Sequence, residues 1–246
     1  MGKSKELATL TDVGGTIDGA LTITETSNQA LNLTTTGLGS QVVYQSSTTN
    51  TPWYTGVAGS TADDFLIYQG ATANAGDIYM YTNSYERMRI DASGRVTMPY
   101  QAGFRAFQNT NYTHPSGNVN LSSVWGGLGY WSKDFDNQNN FNTSNGLFTA
   151  PVAGMYSFSA GLNGEVNASN ITYFSCEFLV NGSRKSIHWF GNIKSGSSGY
   201  SAANNASLFK LSAGDTVGLH CEINATQNLL GAVSGAYGFF SGYLIG

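Results

Sequence analysis

Between Gly146 and Phe158 the chain reads Gly-Leu-Phe-Thr-Ala-Pro-Val-Ala-Gly-Met-Tyr-Ser-Phe, and few folds accept that run. Pro151 has no N–H to give to a ladder, so the short strand before it has to stop there. Gly154 is expected to supply the free φ on which the chain reverses, which places the strands on either side at different positions in a sheet. Beyond it, Tyr156, Phe158, Ala160 and Leu162 alternate with Ser157, Ser159 and Gly161. One face is apolar and the other is not, the pattern of a half-buried strand.

A second constraint sits at Tyr237–Ile245. There Tyr237, Phe239, Tyr243 and Ile245 fall on one side, and Phe240 and Leu244 fall on the other with two glycines. A strand apolar on both faces needs cover on both, whereas a two-sheet sandwich covers only the inner face of each sheet. Tyr237, Phe239, Phe240, Tyr243 and Leu244 are therefore expected at an interface with another copy of the chain. Composition agrees with β structure: Asp, Glu, Lys and Arg make up 11% of residues, against about 25% in an average globular protein. Solvation then falls to Ser, Thr, Asn and Gly in tight turns. A net charge of −4 argues against a nucleic-acid groove. No run of 18 apolar residues suggests membrane insertion, and Met1–Leu7 is followed by no apolar signal region, so the chain is expected to be made and assembled without secretion.

The Gly146–Phe158 run resembles a pattern of the C1q/TNF-like domain: Gly, Phe-Thr, a break, then Gly-x-Tyr-x-Phe. Phe178-Leu-Val-Asn-Gly182 is similar to that family's strand and Asn-Gly turn. Leu211-Ser-Ala-Gly-Asp215-Thr-Val217 is similar to its Leu-x-x-Gly-Asp-x-Val segment, and Phe240-Ser-Gly-Tyr-Leu-Ile245 to its closing strand. These motifs occur in the family's order over residues 102–246. The resemblance implies an all-β, C1q/TNF-like jelly-roll sandwich that assembles as a compact trimer. No Gly-x-y period precedes it, so a collagen stalk is not expected.

Ahead of residue 101 the text is different. Residues 1–20 read as a short N-terminal arm suited to docking, and residues 21–100 as short strands separated by Gly, Asn, Asp and Thr. Runs such as Ala20–Thr24, Ala30–Thr34, Gln41–Gln45, Phe65–Tyr68, Asp77–Tyr81, Arg87–Asp91 and Arg95–Met98 are too short for an independent core. A slender trimeric β stem, in which copies bury one another's apolar positions, is the expected solution. Glu86-Arg-Met-Arg-Ile-Asp-Ala-Ser-Gly-Arg-Val96 reads as strand, Asp-x-x-Gly turn and strand, and its arginines are expected to pair with Glu86 or Asp91 of a neighbouring chain. The phrase resembles the stem text of bacteriophage tail fibres and other virion fibre proteins. Pro99 and Gly103 mark the junction to a knob at 101–246.

No catalytic constellation is legible, and an enzyme is not expected. His220 and Glu222 share a strand face and form a candidate charge pair, while Cys176 and Cys221 lie on apolar faces and are expected as buried free thiols, with a disulfide between them as the alternative. Neither a cofactor nor a metal is expected, although Asp134 and Asp136, in an Asn-rich loop, are the candidate calcium ligands against the alternative of an ordinary Asx turn. Trp125, Tyr130, Trp131 and Trp189 are the candidate ligand-binding residues, since aromatics flanked by Asn and Asp suit sugars, with packing in the core as the alternative for each. Together with the two resemblances this points to a phage virion protein assembled in the host cytoplasm, a trimeric fibre or spike. It would dock to other virion proteins through residues 1–20 and attach to a host-surface glycan or protein through its knob. A capsid-decorating or head-fibre trimer and a C1q-like lectin domain outside any virion are the alternatives.

Overall fold

A computed structural model describes residues 41–44, 53–57, 65–69, 76–166, 171–191, 199–232 and 237–246. The chain divides into two compact units, residues 1–77 and 78–246. In the first, β1 (Gln41–Tyr44), β2 (Trp53–Val57) and β3 (Phe65–Gln69) form an antiparallel sheet in chain order. The proposed arm at 1–20 and the strand-like runs at 20–24 and 30–34 lie outside the described residues.

The second unit opens with an antiparallel meander of β4 (Ile78–Thr82), β5 (Tyr85–Ile90) and β6 (Val96–Thr97). Ile78 stands opposite Ile90, Met80 opposite Met88, and Ile90 opposite Val96, so one face of this small sheet is apolar. The turn between β5 and β6 is built as its Asp-x-x-Gly text suggests: Asp91 accepts the N–H groups of Ser93 and Arg95 on Oδ1, and Gly94 adopts φ +79°. The carboxylate is consumed locally, since Arg95 Nε donates to Asp91 Oδ2 at 2.7 Å. The guanidinium of Arg87 lies over the rings of Tyr85 and Tyr100, and that of Arg89 over Tyr79.

The remainder is a sandwich of two antiparallel sheets. Its elements are β7 (Gly103–Gln108), β8 (Tyr112–His114), β9 (Gly117–Val119), α1 (Leu121–Gly127), β10 (Trp131–Asp136), β11 (Phe141–Asn142), β12 (Leu147–Thr149), β13 (Gly154–Val166), β14 (Tyr173–Val180), β15 (Ser183–Gly191), β16 (Gly199–Leu211), β17 (Thr216–Ile223), β18 (Gln227–Leu229) and β19 (Phe239–Leu244). One sheet runs β10-β7-β19-β13-β18-β8, with β16 also paired to β13; the other runs β11-β12-β17-β14-β15, with β9 also paired to β17. The alternation read in β13 holds, because Tyr156, Phe158, Ala160 and Leu162 are each no more than 1% exposed. Between the sheets Phe104 is stacked on Phe141 at 4.9 Å and on Phe148 at 5.0 Å, and Phe240 meets it edge-on at 5.0 Å. Offset and edge-on aromatic pairs of this kind add to what their buried area contributes.

Two turn signals work as the sequence suggests and one differs. Asn181 and Gly182, at φ 50° and 75°, form the two-residue left-handed turn that joins β14 to β15 with the twist of its strands. Gly154, by contrast, does not have a positive φ. It is required for space: a Cβ there would come within 2.7 Å of Leu244 Cδ1, so the reversal after Pro151 depends on close packing against the end of β19. The loop-rich text at 109–145 also carries more structure than its Asn and Gly content suggests. Asn120 Oδ1 accepts the Ser123 N–H at 3.1 Å and caps α1, a seven-residue helix. From that helix the Ser122 hydroxyl accepts the Leu219 N–H at 2.7 Å, filling the stretch of β17 between its partners β12 and β9.

Candidate functional site

The tryptophans proposed for ligand binding turn inward. Trp125 is 0% and Trp131 4% exposed, with their rings 5.0 Å apart, and Trp131 also meets Phe141 edge-on at 5.4 Å. Neither presents a face to a ligand, which corrects the expectation for both. The cause is α1, which carries Trp125 under the sandwich instead of leaving it on an open loop. Tyr130 is half-buried and packs against this core beside Tyr112. Trp189 stands opposite Ser175 in the β14–β15 ladder, and its side chain lies outside the described residues.

The calcium candidates are engaged by their own chain. Asp134 forms an ion pair with Arg105. Asp136 accepts the Asn140 N–H at 2.9 Å on Oδ1 and the Phe141 N–H at 3.0 Å on Oδ2, with Lys133 Nζ 3.1 Å from Oδ2. The Asp136 carboxylate thus caps backbone N–H groups four and five residues on, a wider loop than the Asx turn that stood as the alternative, and fastens the segment leading into β11. Among the described residues no cluster of three or more His, Cys, Asp or Glu is placed to hold a metal.

The two sides of β19 separate cleanly. Phe240 is 0% exposed, which places it in the chain's own core and corrects its assignment to an interface between copies, while Leu244 is half-buried against that core. On the opposite side Tyr243 is 59% and Tyr237 44% exposed, while Phe239 is half-buried with its ring over Gly161. Tyr243 stands opposite Ser157, which stands opposite Leu208, and Leu208 is 60% exposed. Met155 and Ile245 are exposed too, so several apolar side chains stand in water around Ser157 and Lys210 on this side of the β19–β13–β16 sheet.

The other sheet holds a polar network where the sequence suggested a His220–Glu222 pair. His220 lies opposite Glu177 in the ladder, and its Nδ1 is 3.0 Å from Glu177 Oε2. Ser175 Oγ donates to Glu177 Oε1 at 2.6 Å, and Arg184 bridges Glu177 and Glu222. Glu177 is fully buried. Burial alone would raise its pKa, but hydrogen bonds from His220, Ser175 and Arg184 outweigh it and hold the carboxyl below the ordinary glutamate range. Cys176 and Cys221 are buried free thiols, as expected, and burial raises both pKa values well above the usual thiol range, which leaves them unreactive.

Among the described residues there is also an opening that the sequence did not signal directly. A cleft of about 330 Å³ is lined by Ser159 of β13, His188 of β15, and Asn204, Asn205 and Ala206 of β16. It lies where β15, the edge of one sheet, meets β16, which borders β13 in the other. The signal available in the sequence was the Asn204-Asn205 pair inside an otherwise strand-like run, since asparagine is a poor strand former and needs a local reason to be there.

Residues 132–245 match the family model described as the C1q domain. The sandwich is a C1q/TNF-like jelly roll. Among solved structures, the chain is similar to the globular domain of zebrafish complement 1qA protein, with 17% identity, a TM-score of 0.40, and coverage of 59% of this chain and 98% of that one. It is also similar to murine APRIL at pH 8.5, with 11% identity, a TM-score of 0.42, and coverage of 59% and 99%. No curated protein sequence matches it. The motifs read in the sequence fall at definite places in this C1q-like domain: Gly146–Phe158 spans β12 and the start of β13, Asn181-Gly182 is the β14–β15 turn, and Phe240–Ile245 is the central strand β19 with the residue after it.

Proposed function

We propose that the protein is a homotrimeric fibre or spike of a bacteriophage virion whose C1q-like domain attaches the particle to the host surface. The observation that carries the trimer is the set of exposed apolar side chains Tyr243, Leu208, Met155 and Ile245, which a single copy leaves in water. Several large apolar side chains exposed on one sheet support an association site there. The resemblance to C1q/TNF-like domains supplies the three-fold arrangement. The fibre reading rests on the strand–turn–strand phrase Glu86–Val96, which stands immediately ahead of the domain and folds as the β5–β6 hairpin.

On this reading residues 1–20 dock to other virion proteins, the β-rich segment spaces the domain from the particle, and three copies of one weak surface site act together. Multivalent display raises avidity without any new contact. The domain works by binding and carries out no reaction. Sedimentation of the purified chain tests the assembly, and cryo-electron microscopy of the particle with a host-adsorption assay tests the attachment. A monodisperse monomer at micromolar concentration would refute the trimer. Density for the chain on the capsid lattice, with adsorption unaffected by its removal, would replace the attachment role by shell decoration.

A further inference from the structure

We propose that residues 112–119 form an acid-released strap: protonation of the buried His114 imidazole lifts β8 and β9 off the edges of the sandwich while the rest of the domain stays folded. The device belongs to one copy of the chain and needs neither attachment nor assembly. It begins with topology. Among the described residues β8 is the last strand of one sheet and pairs with β18, whereas β9 pairs with β17 of the other sheet. Only Pro115 and Ser116 separate the two, so a single segment crosses from sheet to sheet and hems the sandwich along one side.

Away from His114 the strap is lightly held. Each of its ladders is three residues long, and β18 beneath it meets β13 at Gly164 and Glu165 alone. Tyr112 and Val119 are partly buried against the core. Further bonds lie nearer the surface, where Thr113 Oγ1 donates to Asn228 Oδ1 at 2.9 Å and Ser116 Oγ to the Asn224 carbonyl at 2.9 Å. Edge segments with short ladders and few buried contacts open at a lower free energy than the domain unfolds. His114 is the exception: it is 0% exposed, stands opposite Gln227 in the ladder, and meets the Tyr112 ring edge-on at 6.1 Å.

A carbonyl can only accept, so His114 Nδ1 carries the proton that is donated to the Pro115 oxygen. Nε2 is then the basic nitrogen, and it is buried without a well-formed hydrogen bond. Burial holds the imidazole below the ordinary histidine range; the carbonyls of Pro115 and Cys221 favour the cation without outweighing that cost, and His220 adds repulsion. The titratable groups that face it are Tyr112 of β8 and Cys221 and His220 of β17, while β18 and β16 present Gln227 and Ser201. The hold of the strap is therefore complete above the unfolded value of about 6.5 and is lost as pH falls through the lower folded one, because the opened strap takes up the proton first.

The test is hydrogen exchange read by mass spectrometry on the full chain at pH 7.0 and pH 5.0, with rates corrected for their intrinsic pH dependence. Protection in residues 112–119 should fall severalfold, up to a ceiling of about 25-fold for one histidine titrating in the opened state, while β13 and β14 keep theirs. His114→Gln carries an amide that does not titrate and should abolish the change, whereas His220→Gln should keep it. Should His114→Gln fail to fold, carbon-13 NMR of the parent's histidine rings decides, with His188→Gln and His220→Gln assigning the other two: the His114 ring has to titrate over the interval in which the strap opens. Sedimentation at both pH values separates opening from dissociation of copies, which would expose the outer face of β19–β13–β16 instead. Protection lost evenly over the domain, protection of 112–119 that holds within about twofold, or a response abolished by His220→Gln overturns the strap.

Discussion

Phe240→Ala distinguishes the two sides of β19 most sharply. The side chain is fully buried, and its ring lies 5.0 Å from Phe104, 5.9 Å from Phe141 and Phe178, and 6.0 Å from Phe158. Truncating it removes the partner of these four rings and of Trp131, at 6.5 Å, in the middle of a close-packed layer. The lost transfer energy and the cavity together come to about 3–5 kcal/mol. For a unit of this size each kcal/mol lowers Tm by about 2–4 °C, so the melting temperature should fall on the order of 10 °C. Urea denaturation followed by near-ultraviolet circular dichroism should show a lower midpoint with an unchanged slope, because the surface exposed on unfolding is nearly the same. A variant that keeps its midpoint to within about 0.5 kcal/mol yet no longer associates would return Phe240 to an interface between copies and refute its place in the core.

Leu208→Asp should leave the circular dichroism spectrum unchanged and convert a sedimenting trimer to monomer, since the side chain is exposed in one copy and would carry an unpaired charge into the interface; retention of the trimer would show that this face serves something else. The carboxyl of Glu177 is held below its ordinary pKa in the folded state, so its contribution to stability is complete above the unfolded value of about 4.3 and is lost as pH falls through the folded one. In Glu177→Gln the urea midpoint should be lower at pH 7 and should fall less steeply on acidification than in the parent; parallel pH profiles would deny Glu177 that role. Asp136→Ala removes a carboxylate that accepts two backbone N–H groups, and should cost about 2–3 kcal/mol. Neither calcium nor EDTA should move the Tm of the parent, and a calcium-dependent rise would reinstate the loop as a cation site.

How much of this was visible in the sequence depended on whether a residue's role was local. The period-two face of β13, the Asn181-Gly182 turn and the Asp91–Gly94 turn follow from backbone preference and side-chain alternation within a few residues, and each took the form its text suggests. Burial depends on what arrives from elsewhere in the chain. Trp125 and Trp131 sit in Asn- and Gly-rich text that resembles an exposed loop, and only the cap at Asn120 and the arrival of Phe141 place them inside. His220 was assigned to Glu222 because they share a face two residues apart, but cross-strand register set it opposite Glu177. The cleft was illegible for the same reason: its residues come from three strands, and nothing in the one-dimensional text brings Ser159, His188 and Asn204 together.

The strand β19 is the last in chain order, yet it lies between β7 and β13 in the middle of its sheet. Until the ribosome has released those residues, β7 and β13 can hold no shared ladder, and each offers an open edge to any extended peptide nearby. Completion of the sheet therefore waits for the synthesis of β19. Loss of the segment Phe239–Leu244 would take out the centre of the sheet and part β7 from β13.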